Sequence, residues 1–173
     1  MATTTAAPRE TKGTGTKASP SGMKDQGLTS GQAHEFAIIL PLKPGGGQRM
    51  RDRLKESVTA GTKSLDKMAT LHDLRFVLFD NDTRVLFAST YDGGFEQYIK
   101  DFATLVPDLI DKEFQECEGY PGVRSPEIWE YIARYQNEAI VFYSAYPDVT
   151  VRQVLKGQRV LKAFEQLLDE ASS

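Results

Sequence analysis

One cysteine, two histidines and no long apolar run put several kinds of protein out of reach of this 173-residue chain. Cys117 has no second cysteine to pair with, so an internal disulfide is excluded and a reducing compartment suits the chain. His34 and His72 are the only imidazoles, and neither an H-E-x-x-H run nor paired cysteines accompanies them, so no metal motif is present. No stretch approaches the roughly 20 apolar residues that span a bilayer, and residues 1–31 lack the apolar core of a secretory signal. A cytoplasmic location is the expectation. Basic residues are not in excess either: 21 Lys and Arg face 24 Asp and Glu, for a net charge of -3. Nucleic-acid surfaces carry the opposite bias.

What is present is an ordinary globular composition, 40% hydrophobic and 26% charged. Residues 1–31 are rich in Thr, Ala, Gly, Ser and Pro, and their few large apolar residues (Met1, Met23, Leu28) are too sparse to offset chain entropy. They read as a disordered tail ahead of one α+β domain over 32–173. Glu10 and Asp25 argue against a transit peptide.

The chain is organised around His72 to Gly94. Two apolar runs, Leu74 to Phe79 and Val85 to Ala88, flank Asp80-Asn81-Asp82-Thr83, whose side chains favour turn dihedrals, so a β-hairpin is expected. Glu35 to Leu42 reads as a strand before it, followed by a helix over about 47–69 on the spacing of Met50, Leu54, Val58, Leu65 and Met68. After Gly94, Phe95, Tyr98, Ile99 and Phe102 mark a helix that Pro107 ends, and Pro107 itself suits the first turn of the next. Ser125-Pro126-Glu127 opens another helix. Ala139 to Tyr146, AIVFYSAY, reads as a fourth strand. Thr150 and Gln153 then have capping-box spacing, ahead of an apolar face of Val151, Leu155, Leu161, Phe164 and Leu168.

The order β-α-β-β-α-α-α-β-α is a ferredoxin-like split β-α-β with added helices. Strands apolar at nearly every position need cover on both sheet faces. Helices supply one cover. A second subunit packed face to face supplies the other, so a homodimer of dimeric α+β barrel type is expected.

The runs His72-x-x-Arg75-Phe76, Leu86-Phe87-x-Ser89-x-Tyr91-Asp92-Gly93, Cys117-Glu118-Gly119-Tyr120-Pro121-Gly122 and Tyr146-Pro147-x-x-Thr150-Val151 resemble a poorly characterised family of ferredoxin-like proteins. The likeness covers about residues 34–168. Members of that family are similar in turn to one half of the dye-decolorising peroxidases. The resemblance implies the α+β barrel fold and makes haem a candidate cofactor. Those peroxidases hold haem through a histidine in their second half and carry a Gly-x-x-Asp-Gly motif. This chain has one half, and Tyr91-Asp92-Gly93-Gly94 lacks the leading glycine.

Candidate site residues follow from chemistry. His72 near a strand start is a candidate general base or ligand. Arg75, on an otherwise apolar strand, needs an acid or an anion beside it, with Asp92 and Glu118 the acids in prospect or a substrate carboxylate instead. Phe87, Tyr91, Tyr120 and Tyr143, with Ser89 and Asp92 as polar points, are candidates to line an apolar pocket beside the hairpin. Gly45-Gly46-Gly47 with Lys43, Arg49, Arg51 and Arg53 has the ingredients of an anion site or simply of a strand-to-helix turn. Cys117, at a predicted helix C-terminus, is expected to pack rather than react. The leading functional expectation is binding of a small apolar or aromatic molecule. The alternatives are a peroxidase- or monooxygenase-like oxidoreductase using His72 and Arg75, and a non-catalytic accessory or assembly protein.

Overall fold

The computed structural model describes residues 27–60 and 64–172. Its centre is a four-stranded antiparallel sheet in the order β1-β2-β4-β3, built from β1 (Thr29–Ser30), β2 (Ala33–Pro41), β3 (Leu71–Phe79) and β4 (Arg84–Asp92). The hairpin forms as expected. Asp80, Asn81 and Asp82 all take left-handed φ angles of 51°, 53° and 62°, a conformation that Asp and Asn tolerate better than other side chains.

Helices α1 (Gly46–Ala60), α2 (Phe95–Leu105), α3 (Pro107–Phe114) and α4 (Ile128–Tyr135) supply one side of the core. The sheet side alternates with the two-residue period of strands. Ile38, Phe87 and Phe76 lie in register across β2, β4 and β3 and belong to this core. The neighbouring row, Ile39, Leu86 and Val77, points to the other face. No member of that second row joins the core cluster, and Val77 is 43% exposed. The second face mixes these apolar residues with polar ones such as Arg75 and Thr90, and helices cover only the first.

Several sequence expectations change here. Residues 1–26 of the expected tail lie outside the described residues. Residues 27–31 are ordered against β2, because Glu35 Oε1 accepts the Leu28 amide at 3.2 Å and the Glu35 amide donates to Leu28 O at 3.0 Å. The helix expected to reach residue 69 gives way to a 3-10 turn over Leu65–Lys67. There the Met68 amide donates to Leu65 O and the Leu71 amide to Met68 O, steering the chain into β3. Pro107 begins α3 at its first position, but Ser125-Pro126-Glu127 does not open α4: the helix starts at Ile128 with Glu127 ahead of it, and Ser125 Oγ accepts the Glu127 amide in the preceding turn without capping the helix.

The largest correction concerns Ala139 to Tyr146, which forms no strand. The outer edge of β2, where a fourth strand would pair, is occupied by three short pieces. Leu28 O takes the Glu35 amide, the Asn137 amide donates to Ala37 O at 2.9 Å, and Glu116 O and the Glu118 amide bond Lys43 and Pro41. Backbone groups already satisfied cannot pair again. The segment therefore leaves the sheet after Ala139, with Ile140 97%, Val141 78%, Tyr143 81% and Tyr146 76% exposed.

Helix α5 (Val151–Ala171) follows and buries none of its 21 residues. Its capping box is complete, as the sequence indicates. Its apolar face, expected to pack inward, faces water instead.

Candidate functional site

β3 carries one residue more than β4 between the pairs Leu71↔Tyr91 and Asp73↔Thr90, and the extra residue is His72. A β-bulge of this kind re-aims a side chain out of the strand's regular alternation. His72 Nε2 comes to 2.7 Å from Asp92 Oδ1, with its side chain 24% exposed and that of Asp92 10%. The other oxygen, Asp92 Oδ2, accepts the Val151 amide at 2.7 Å. One carboxylate thus ties the bulge to the first turn of α5, where the helix has unpaired amides and a partial positive charge. Thr150 Oγ1 takes the Gln153 amide in the same turn.

Beside this junction lies a groove of about 700 Å³ between the β3 entrance and α5, lined among others by Met68, Leu71, His72, Leu74, Val154 and Leu155. A histidine oriented by an aspartate can exchange a proton with a bound group. Among the described residues, neither Ser89 nor Cys117 joins it as a nucleophile. Ser89 Oγ shares a 2.6 Å hydrogen bond with the Tyr98 hydroxyl, and Cys117 is fully buried with its thiol pushed up to about 12, chiefly by burial. Cys117 packs, as its position suggests.

His72 and Arg75 do not converge. Arg75 lies on the open sheet face opposite Ala88, 65% exposed, and meets Asp73 at 3.5 Å rather than Asp92 or Glu118. An exposed guanidinium needs no buried counter-charge, so Asp92 and Glu118 are not required beside it. The neighbours of Arg75, Leu74 and Phe76, border a separate groove of about 320 Å³ on the helix side, with Ser57 and Glu113.

The expected pocket residues are mostly core. Phe87 is ringed by Phe36, Phe76, Phe102 and Phe114 at centroid distances of 6.1, 5.1, 6.3 and 5.4 Å. Tyr91 stacks on Tyr98 at 3.9 Å, and burial holds both phenols well above their ordinary range. The Tyr120 hydroxyl donates to Asp111 Oδ1 at 2.7 Å, and the Val123 amide donates to the same oxygen, pinning the 117–123 connector. Tyr143 lies on the exposed segment, apart from the others. The apolar cavity beneath Phe87 and Tyr120 measures about 50 Å³, small beside the roughly 300–1,000 Å³ of ligand pockets.

The basic residues around Gly45–Gly47 are already matched. Arg49 and Arg53 reach Glu116 at 2.6 and 3.1 Å, Arg51 reaches Asp82 at 2.7 Å, and Lys43 Nζ donates to Gln115 O. The Arg49 hydrogen bond, ahead of the Arg53 contact, holds the Glu116 carboxyl below its usual range. Gly47 is a glycine for packing reasons, since a Cβ there would strike the Asp82 backbone.

Among the described residues no three His, Cys, Asp or Glu side chains converge as metal ligands, and no helix is long and apolar enough to cross a membrane. Asp92 engages Nε2 of His72, which leaves Nδ1 as the ring nitrogen through which a haem iron would have to be held. His72 and Asp92 are each legible in the sequence as polar residues of interest, but their union and the link to Val151 are not. Nothing in the spacing reveals a bulge.

The class these observations define is an α+β protein with a one-sided helical cover and an extended C-terminal arm. No family profile, curated protein or solved structure matches the chain.

Proposed function

We propose that this chain is an assembly protein that works through contact with a second copy, using its open sheet face and its C-terminal arm as the partner surface. The observation that carries this reading is α5, a 21-residue amphipathic helix with no buried residue. Helices in water owe most of their stability to packing of an apolar face. Leu161, Phe164, Leu167 and Leu168 are each at least half exposed, and contiguous apolar surface of this kind marks interaction sites. The half-covered row of Ile39, Leu86 and Val77 is compatible with sheet-to-sheet packing of the dimeric α+β barrel kind. Hydrogen exchange on the full chain tests the reading. Amides of residues 139–171 should become more protected as concentration rises, and fast exchange at every concentration would remove its basis.

A second reading, binding of a small apolar molecule with a polar group directed at His72, is favoured by the size and lining of the groove beside the bulge. A retained molecule would add its own mass to each protomer in a native mass spectrum.

A further inference from the structure

We infer that two copies of this chain pair through α5 in antiparallel orientation, about a twofold axis near the middle of the helix. The inference rests on the assembly reading above and specifies the geometry of one part of that surface.

The first observation is the spacing along α5. Val154, Gly157, Leu161, Phe164, Leu168 and Ala171 recur at alternating intervals of three and four. That is the seam of a helix pair, in which side chains at such positions interlock with those of a facing helix. Val160 and Leu167 widen the stripe on one side. All of the large residues on it are exposed, from 42% for Val154 to 61% for Leu167. Gly157 is a poor helix former, yet it falls on this seam, where its missing side chain leaves room for a bulky residue of a partner helix.

The second observation sets the direction. Every base of the helix lies in its first part (Arg152, Lys156, Arg159, Lys162), and every acid lies in its last (Glu165, Asp169, Glu170). This order opposes the helix's own dipole, which favours acids at the N-terminus and bases at the C-terminus. No acid stands in the first turn and no base in the last. For a solitary helix the arrangement is unfavourable. Beside an antiparallel copy, each basic half lies along an acidic half and each end of the dipole meets its opposite. A parallel pair would set like charges side by side, so charge selects the antiparallel form. The contact is isologous, which closes the assembly at two copies.

The native Cys117 is buried, so cysteines introduced on exposed α5 positions of the full chain report on the pairing alone. Under mild oxidation, Leu161→Cys should link to Phe164→Cys, and Val154→Cys to Ala171→Cys, when each pair of variants is mixed. Val154→Cys alone should not link to itself. Self-linking of Val154→Cys would mean parallel helices and overturn the inference. A protein that has dimer mass but links at none of these positions would overturn it too, leaving assembly to the sheet face. A monomer at all concentrations would overturn both the pairing and the assembly reading.

Discussion

Phe87→Ala should lower the unfolding free energy by about 3–5 kcal/mol, the usual cost of deleting a buried phenyl ring. Phe87 is 2% exposed and stands where the middle of the sheet meets α2 and α3, with four phenylalanine rings around it. Removing its ring would enlarge the 50 Å³ cavity already beneath it, and the surrounding sheet and helices can close over the space only in part. Domains of this size are stable by about 5–15 kcal/mol, so the variant should unfold at a much lower denaturant midpoint with its slope unchanged. Phe87→Leu keeps more of the volume and should lose less. A loss below about 1 kcal/mol for the alanine variant would mean that the aromatic cluster is not the core.

Asp92→Ala should cost about 3–6 kcal/mol by a different mechanism, loss of two hydrogen bonds to a charged group at about 1.5–3 kcal/mol each. His72 loses its partner and the Val151 amide loses its cap, both through one carboxylate. Asp92→Asn keeps an acceptor for Val151 and should cost less. Because His72→Ala removes only one of the two bonds, it should cost less than Asp92→Ala, and the double variant should cost less than the sum of the single ones. In exchange experiments the first turn of α5 should open in Asp92→Ala and stay closed in His72→Ala. Equal opening in both would show that the helix depends on the imidazole and not on the Asp92–Val151 bond.

The features legible in the sequence are those decided locally. Asp80-Asn81-Asp82 announces its turn because these side chains suit left-handed dihedrals, and Thr150 with Gln153 announces a helix start because the two bond each other's backbone. Pro107 divides two helices by the donor it lacks. The features missed depend on what distant residues have already taken. AIVFYSAY has every local mark of a strand, but Leu28, Glu116, Glu118 and Asn137 use the β2 edge it would need. Aromatic residues on strands look the same in a sequence whether they line a cavity or fill a core, and only the packing around Phe87 and Tyr91 distinguishes the two. His72 was legible as a residue of interest. Its geometry was not, because a bulge of one residue breaks the alternation on which strand reading relies.

The same contrast explains the last helix. Its caps, seam and charge order are all readable, and together they describe a well-formed amphipathic element. A buried place in its own chain was the natural expectation, since amphipathic helices cover cores. Instead α5 stands outside the core, reached through an exposed apolar segment and held at its first turn by Asp92.

Native mass spectrometry of the full chain tests the account most directly. A principal species at about twice 19.3 kDa is the predicted result, giving way to a single chain only on dilution. A spectrum holding only the 19.3 kDa chain at every concentration would contradict it.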